Sequence, residues 1–164
     1  MDIVMGDLIF EDGSKTKQVD RNDVIDFWRQ HAPGLSVEQT QKRLEQLVYV
    51  VRRKTDRSIV AESTAEEILV KQLRNYFFNI RFMVVRENVL SPGLLGKLIT
   101  ETFQVLEEKR SFSRSIGVIT LIENERLKQV LTKAILPASG LVFIGNSPRG
   151  HQIRVRYFEN ALIN

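Results

Sequence analysis

The sequence has 164 residues, of which 43% are hydrophobic and 27% are charged, a balance typical of a folded globular chain. Cysteine is absent, which excludes disulfide bonds, thiolate nucleophiles and cysteine-ligated metals, and the presence of only two histidines argues against a histidine-rich metal site. The formal net charge is only +4, from 24 basic and 20 acidic residues. We therefore expect one domain over residues 1–164 that holds no metal.

The N-terminal stretch MDIVMGDLIFEDG is acidic and lacks the basic start and uninterrupted apolar centre of a signal peptide. No apolar run in the sequence approaches the about 20 residues that span a bilayer. We expect a cytoplasmic protein. The same stretch predicts the first element, a β-hairpin in which IVMGDLIF is the first strand, Asp12-Gly13 forms a tight turn with positive φ angles, and KTKQV is the second strand.

Two helices are predicted next. The stretch RNDVIDFWRQHA carries apolar residues at helical spacing, with Asn22 or Asp23 as its N-cap. In SVEQTQKRLEQL, Ser36 and Gln39 have the spacing of a capping box, so a second helix begins there.

The middle of the chain predicts an antiparallel hairpin and then a central strand. The runs LVYVVRR and SIVAEST are apolar and β-branched, and the turn residues KTDR separate them. The following stretch, AEEILVKQLR, fits a strand as well as a helical turn. NYFFNIRFMVV is aromatic and β-branched on both faces, as in a strand at the centre of a sheet.

The C-terminal half alternates helices and strands. GKLITETFQVLEEKR predicts an amphipathic helix, SIGVITLI a strand, NERLKQVLTKAI a helix that ends before Pro137, and GLVFIG and QIRVRYFE two strands around the turn NSPRG. The apolar stripe of the first of these helices consists of Leu98, Ile99, Thr102, Phe103 and Leu106.

The whole order, β-β-α-α-β-β-β-α-β-α-β-β, predicts an α/β protein with a mixed, mostly antiparallel central sheet and helices on both faces. The strand-helix-strand segment over residues 75–121 requires a right-handed crossover, so its two strands are predicted to be parallel. Between them, VVRENVLSPGLLGKLITETF leads from a strand through a loop with two glycines into a helix. A helix N-terminus of this kind can hold a phosphate group.

This element order resembles that of the GNAT superfamily, the acyl-CoA-dependent N-acyltransferases. The resemblance covers nearly the whole chain and is sharpest over residues 47–158. In that family a loop typically written (Arg/Gln)-x-x-Gly-x-(Gly/Ala) precedes a helix, and its backbone N–H groups hold the pyrophosphate of coenzyme A. The resemblance implies transfer of an acetyl group from acetyl-CoA to an amine of a small molecule or a protein. It assigns cofactor binding to Val84, Val85, Gly93, Leu94, Leu95, Gly96, Lys97 and Asn124.

The loop departs from the family's pattern in either register. With Gly93 as the middle glycine, Leu90 stands where Arg or Gln is expected and Leu95 where Gly or Ala is expected. With Gly96 in that place, Gly93 and Leu98 occupy those two positions. Remaining backbone donors, with Lys97 supplying charge, can still hold a phosphate; the alternative is that the glycines only turn the chain into its helix.

The last helix also departs from the family, whose members commonly place a tyrosine there as the general acid toward the departing thiolate. Asn124 matches the start of that helix, but Leu131 stands where the tyrosine would be. An Asn at the junction of a strand and a helix is also a routine N-cap, which is the plainer role for Asn124.

Three residues are candidates for acid-base catalysis, each with a plainer alternative. Glu62 and Glu87 are the carboxylates nearest the strand ends that frame the acceptor side in the family, although either suits a surface position. Tyr157 is a candidate acid or base and also fits a half-buried strand face, and His151 fits a turn. On the central strand, Arg81 is expected to be a member of an ion pair.

The alternative function is a GNAT-like fold without catalysis that binds a nucleic acid or a protein. Positive charge concentrates at residues 51–57 and 147–156, and Arg52–Lys54 with Arg149–Arg156 would form the contact surface. Affinity for a nucleic acid would then fall with salt. A homodimer is a further expectation, with QIRVRYFENALIN as an exposed strand that pairs between copies.

Overall fold

Within residues 2–15 and 18–164, which this computed structural model describes, eight strands and four α-helices follow one another in the predicted order. The strands are β1 (Ile3–Met5), β2 (Leu8–Asp12), β3 (Leu47–Arg53), β4 (Ile59–Val70), β5 (Asn75–Val84), β6 (Ser115–Ile122), β7 (Val142–Asn146) and β8 (Gln152–Tyr157). The helices are α1 (Gln18–His31), α2 (Val37–Glu45), α3 (Leu94–Glu108) and α4 (Glu125–Val130). None of these helices is long and apolar enough to cross a membrane.

The strands form one mixed sheet in the order β1-β2-β3-β4-β5-β6-β8-β7. Antiparallel pairing joins β1 to β2, β2 to β3, β3 to β4, β6 to β8 and β7 to β8, whereas β5 and β6 are parallel. The predicted mixed α/β class and the predicted parallel crossover through α3 are therefore confirmed.

Contacts divide the chain into two compact units. The first consists of Met1–Ala65 and Phe82–Asn88, and the second of Glu66–Arg81 and Val89–Asn164. The expectation of one domain over residues 1–164 stays a prediction. In the first unit the aromatic side chains of Phe27 and Trp28 on α1 and of Tyr49 on β3 are buried.

The core of the second unit forms around α3. All five residues of its predicted apolar stripe are buried. The ring of Phe103 lies 5.4 Å from that of Phe158, and the side chains of Val118 on β6 and Val155 on β8 are buried as well. Burial of this stripe holds α3 in place, which matters because the candidate cofactor loop leads directly into it.

The predicted N-terminal hairpin has its turn in the wrong place. The chain turns at Gly6, whose φ is +56°, and β1 and β2 pair around it. Asp12 instead ends β2, because its Oδ1 atom accepts hydrogen bonds from the backbone N–H and hydroxyl of Ser14. Gly13 is required for space rather than for a positive φ, since a Cβ atom there would lie 2.8 Å from the Cβ of Leu47.

The strand predicted at KTKQV is also wrong. Lys15 ends a short 3-10 turn and α1 begins at Gln18, while residues 16 and 17 lie outside the described residues. Neither Asn22 nor Asp23 is an N-cap, because both lie inside α1. The second helix begins as predicted: Ser36 and Gln39 form a complete capping box at the start of α2.

The ambiguous stretch AEEILVKQLR continues β4 as far as Val70 and then forms a 3-10 turn. The helix predicted at NERLKQVLTKAI is too long, because α4 ends at Val130. The next carbonyl, that of Leu131, accepts hydrogen bonds from the side chains of Gln152 and Arg154 and so does not continue a helical ladder. Ile135 forms an isolated antiparallel bridge with Val142.

The strand β8 is not exposed along its edges. It lies between β6 and β7 in the sheet, with pairing on both sides. The expected contact between two copies through this strand is therefore wrong, because its backbone groups are already used by its neighbours.

Candidate functional site

The parallel pair β5–β6 is joined over only part of its length. Its register runs from Tyr76 opposite Ser115 to Asn79 opposite Ile119. Beyond that point the hydroxyl of Thr120 donates a hydrogen bond of 2.9 Å to the carbonyl oxygen of Ile80. The remaining residues of β6 pair with β8. The last residues of β6 therefore keep backbone groups on the β5 side that the parallel ladder does not use.

The loop that follows Val89 leads into α3 through a glycine with a left-handed backbone. Gly93 has φ +76° and is the N-cap, and its carbonyl accepts the N–H of Lys97 at 2.9 Å. The N–H of Leu94 donates to the carbonyl of Ser91 at 3.3 Å. The N–H groups of Leu95 and Gly96 lie in the first turn, where a helix offers no acceptor of its own.

This helix end can bind an anion. The two N–H groups add to the partial positive charge of the N-terminus of a 15-residue helix. A Cβ atom built on Gly93 would meet nothing within 4 Å, so the surface beside the N-cap is open to a ligand. The loop thus fits a phosphate-bearing group through backbone donors alone.

Two of the expected loop residues have other partners. The Lys97 ammonium lies 2.7 Å from the carboxylate of Glu101 one turn along α3, so its charge is largely neutralised. Gly96 packs closely against the segment after α4: a Cβ atom on it would lie 3.0 Å from the Cβ of Ala138. Packing therefore explains why residue 96 is a glycine.

Asn124 caps α4. Its side-chain oxygen accepts a hydrogen bond from the N–H of Leu127 at 3.1 Å. Asn124 therefore acts as an N-cap, the plainer of the two roles that the sequence allowed.

In the first unit, Val84 is the last residue of β5, and the N–H of Val85 already donates to the carbonyl of Val60 at 2.9 Å.

The two candidate carboxylates, both in the first unit, lie in unlike surroundings. Glu62 is buried on β4, opposite Val50 of β3, with only 2% of its surface exposed. Glu87 is exposed, in the 3-10 turn that follows β5.

Tyr157 lies far from Asn124 within the second unit. It is opposite Gly117 at the start of β6, its ring is 5.8 Å from that of Phe77, and 48% of its surface is exposed. Asn124 follows the other end of β6, beyond Ile122, and these ends are roughly 16 Å apart at about 3.3 Å per residue. The structure does not bring Tyr157 and Asn124 to one end of the strand.

The other polar residues singled out in the sequence have local partners. Arg81 forms the expected ion pair, with Glu66 at 3.1 Å. His151 lies in the turn between β7 and β8, and its Nδ1 atom is 3.4 Å from the ammonium of Lys128.

Two arginines of the basic segments are engaged inside the chain. Arg52 is buried and lies 3.1 Å from Glu11, 3.3 Å from Asp23 and 3.7 Å from Asp20. Arg156 donates to the carbonyl of Ser139 at 2.9 Å. These two charges are therefore not available to a nucleic acid, whereas Lys54 and Arg149 of the same predicted surface are exposed.

Arg154 and Thr120 are the residues that sequence reasoning missed. Arg154 is only 1% exposed, and burial lowers the pKa of its guanidinium. The alternation in QIRVRY does place Arg154 and Arg156 on one face of β8. The sequence could not predict which segment covers that face of β8, because the residues that cover it form no helix or strand.

Across residues 2–15 and 18–164, no three Asp, Glu or His side chains are grouped as metal ligands would be.

Comparison with known proteins shows the fold. No protein-family model matches the sequence, and no curated protein sequence matches it. Solved structures do match. The ribosomal-protein-S5-alanine acetyltransferase from Vibrio fischeri is 13% identical, with a TM-score of 0.63 over 99% of both chains. A GNAT-family acetyltransferase from Streptococcus pneumoniae is 11% identical, with a TM-score of 0.63 over 92% of this chain and 99% of that one.

A third match is a mutant of the AtaT toxin bound to the C-terminus of the antitoxin AtaR and to acetyl-CoA. It is 13% identical, with a TM-score of 0.55 over 90% of this chain and 92% of that one. At such identities the likeness concerns architecture. The chain has the fold of the GNAT acetyltransferases.

Proposed function

We propose that this protein binds acetyl-CoA at the N-terminus of α3 and transfers the acetyl group to an amine. The observation that carries the proposal is the glycine-capped start of α3, with first-turn N–H groups that have no acceptor in the helix, in a chain with the GNAT fold. The AtaT toxin, which shares this fold, is described as bound to acetyl-CoA.

The pyrophosphate would be held by backbone donors rather than by side-chain charge. The N–H groups of Leu95 and Gly96 are the donors, and the dipole of α3 adds to their effect. Lys97 contributes little while it is paired with Glu101. We therefore expect a lower affinity for acetyl-CoA than that of a family member with the full loop motif.

When bound, acetyl-CoA supplies an acetyl group activated as a thioester. The amine nitrogen attacks the carbonyl carbon, so a C–N bond forms, the C–S bond breaks and the thiolate of coenzyme A leaves. The proton lost by the amine goes to a base or to water. Backbone groups around Val84–Glu87 are proposed to polarise the carbonyl, with Glu87 or Glu62 as the base.

The acceptor is proposed to be an amine of a protein or a small molecule. The Vibrio fischeri structure is described as a ribosomal-protein-S5-alanine acetyltransferase, so peptides with a free N-terminal alanine are the first acceptors to test. Polyamines and lysine side chains are the next classes.

The test is an acetylation assay with purified protein, acetyl-CoA and a panel of such amines. Release of the coenzyme A thiol and the added mass of one acetyl group on the acceptor are followed together. We expect at least one amine to be acetylated and a Glu87→Gln or Glu62→Gln variant to lower kcat. Tyr157→Phe tests the third candidate, and Glu45→Gln, at an exposed carboxylate at the end of α2, is the control that should leave the rate unchanged. If the protein binds acetyl-CoA yet acetylates no amine, the catalytic part of the proposal fails.

A further inference from the structure

Arg154 is a buried cation that binds carbonyl groups rather than a carboxylate. Its Nη2 atom lies 3.0 Å from the carbonyl oxygen of Leu131, and its Nη1 atom lies 3.3 Å from that of Ala134 and 3.5 Å from that of Leu141. Its Nε atom donates to the side chain of Gln152 at 3.0 Å. Among the described residues, no carboxylate lies within ion-pair distance of it.

These three carbonyls belong to one irregular segment, residues 131–141, which we call the strap. A single planar guanidinium thus fixes both ends of the strap and a point between them. A second arginine adds to this hold: Arg156 donates to the carbonyl of Ser139 at 2.9 Å, and its guanidinium lies 3.8 Å from the ring centroid of Phe103 on α3.

The strap also touches the first two turns of α3. A Cβ atom on Gly96 would lie 3.0 Å from that of Ala138. The hydroxyl of Thr100 lies 2.8 Å from the carbonyl oxygen of Gly96 and 3.0 Å from that of Ala138. The strap therefore joins the buried Arg154 to the helix turn that carries the N–H groups of Leu95 and Gly96, which have no acceptor within the helix.

We propose that the strap is a positioning element of the acetyl-CoA site and that Arg154 is its positioning residue. This inference rests on the proposed function and adds a residue to it. Backbone donors stabilise an anion only when their direction is fixed beforehand, and helix ends tend to fray. The loop has no Arg or Gln at the first position of the family's motif, so no side chain there helps to bind the pyrophosphate. The affinity for acetyl-CoA then depends on how rigidly the first turn of α3 holds its backbone N–H groups. The strap supplies that rigidity.

The mildest test is Thr100→Val, which removes the hydroxyl link to the strap at nearly constant volume. We expect faster hydrogen exchange at residues 97–100, the first amides of α3 that are bonded within the helix, in the ligand-free protein. We also expect a dissociation constant for acetyl-CoA about tenfold higher, since misplaced groups cost one to two orders of magnitude. Thr40→Val is the matched control, because the Thr40 hydroxyl makes the same contact with the carbonyl four residues earlier, that of Ser36, on α2.

The second test separates position from charge at residue 154. Arg154→Lys keeps the positive charge but cannot span the three carbonyls, whereas Arg154→Met removes both. A positioning role predicts that both variants lose protection over residues 97–100 and 131–141 and lose affinity for acetyl-CoA to a similar extent. If Arg154→Lys binds acetyl-CoA as the wild type does, charge rather than position is at work and the proposal is overturned.

The exchange measurements need no ligand, so they judge the strap independently of the proposed function. Unchanged exchange over residues 97–100 in both Thr100→Val and Arg154→Lys overturns the positioning role. If Thr100→Val speeds exchange there but wild-type protein binds no acetyl-CoA, the proposed function fails while the hold of the strap on α3 stands. Should Arg154 variants not fold, Thr100→Val alone decides.

Discussion

Gly93 sets the point at which α3 begins. Its φ of +76° is a conformation that costs an L-residue with a side chain about 1–2 kcal/mol. Because a Cβ there would meet no other atom within 4 Å, Gly93→Ala adds strain but no clash. We expect it to lower the free energy of unfolding by about 1–2 kcal/mol, measured by urea denaturation.

Gly34→Ala is the control for that change. Gly34 is also in open space, but its φ is not positive, so its replacement introduces no such strain. The control should be neutral or slightly stabilising because alanine restricts the unfolded chain. Equal stability losses at both positions would show that the backbone of Gly93 is not special.

The ion pair between Lys97 and Glu101 limits the charge available at the loop. In Glu101→Gln the ammonium of Lys97 is released near the N-terminus of α3. We expect the affinity for acetyl-CoA to rise by about two- to fivefold at low ionic strength, and the gain to fade with added salt. Isothermal titration calorimetry at two salt concentrations measures both effects.

Asp26→Asn is the matched control for Glu101→Gln, because it removes a carboxylate that is paired with a cation, Arg29, on α1. The change in net charge is the same in both variants. A gain of the same size in the control would mean that overall charge, and not Lys97, is responsible.

At the residue scale, part of the site could be predicted from the sequence. The glycine at the helix start has a fixed backbone signature, and Lys97 and Glu101 have the i,i+4 spacing of a helical ion pair. The burial of Arg154 could not be predicted, because the strap that covers it has no periodic pattern. The N-cap role of Asn124 was predictable from its place before a helix, and its hydrogen bond from the N–H of Leu127 confirms it.

At the scale of elements, Thr120 marks the place where β5 and β6 part. Its hydroxyl donates to the carbonyl of Ile80, and both residues are almost fully buried. Thr120→Val leaves that carbonyl without this donor, so we expect a loss of about 1–3 kcal/mol in the free energy of unfolding. Urea denaturation monitored by circular dichroism gives the value.

Thr120→Ser keeps the hydroxyl and loses only a methyl group. It should retain most of the stability that Thr120→Val loses. If valine is tolerated as well as serine, the hydroxyl does not tie the two strands together, and the junction is held by packing alone.

The order of the elements was predictable because each long element has a strong period. The apolar stripe of α3 and the β-branched run of β5 are examples, and both were confirmed. The errors fall where tertiary contacts override local pattern. The sequence NERLKQVLTKAI reads as one long helix, but Arg154 and Gln152 take the carbonyl of Leu131 and end the helix early.

The sequence predicts that β8 is a strand, but it does not predict which strands lie on either side of it in the sheet. Polar and apolar residues alternate along β8, a pattern that suits an edge strand with one face exposed to solvent. Its place between β6 and β7 arises because the chain returns after β7 and inserts β8 between the two. Nothing local in the sequence specifies that insertion.

For the whole molecule, three arginines of the predicted basic surface are engaged inside the chain. Arg52, Arg154 and Arg156 are bound to the chain's own carboxylates or carbonyls. Loss of these internal contacts would be needed before the same side chains could bind phosphates of a nucleic acid. The proposed site at the start of α3 uses backbone N–H groups and so does not depend on these arginines.

The most direct test of the proposed coenzyme A site at the start of α3 is thermal unfolding with and without excess acetyl-CoA. Desulfo-CoA and ATP serve as comparison ligands. A ligand at a hundred times its dissociation constant adds about 2.7 kcal/mol of stability, which raises Tm by several degrees for a domain of this size. We predict such a rise with acetyl-CoA and desulfo-CoA and a smaller one with ATP. No rise, or an equal rise with ATP, would contradict a coenzyme A site at the start of α3.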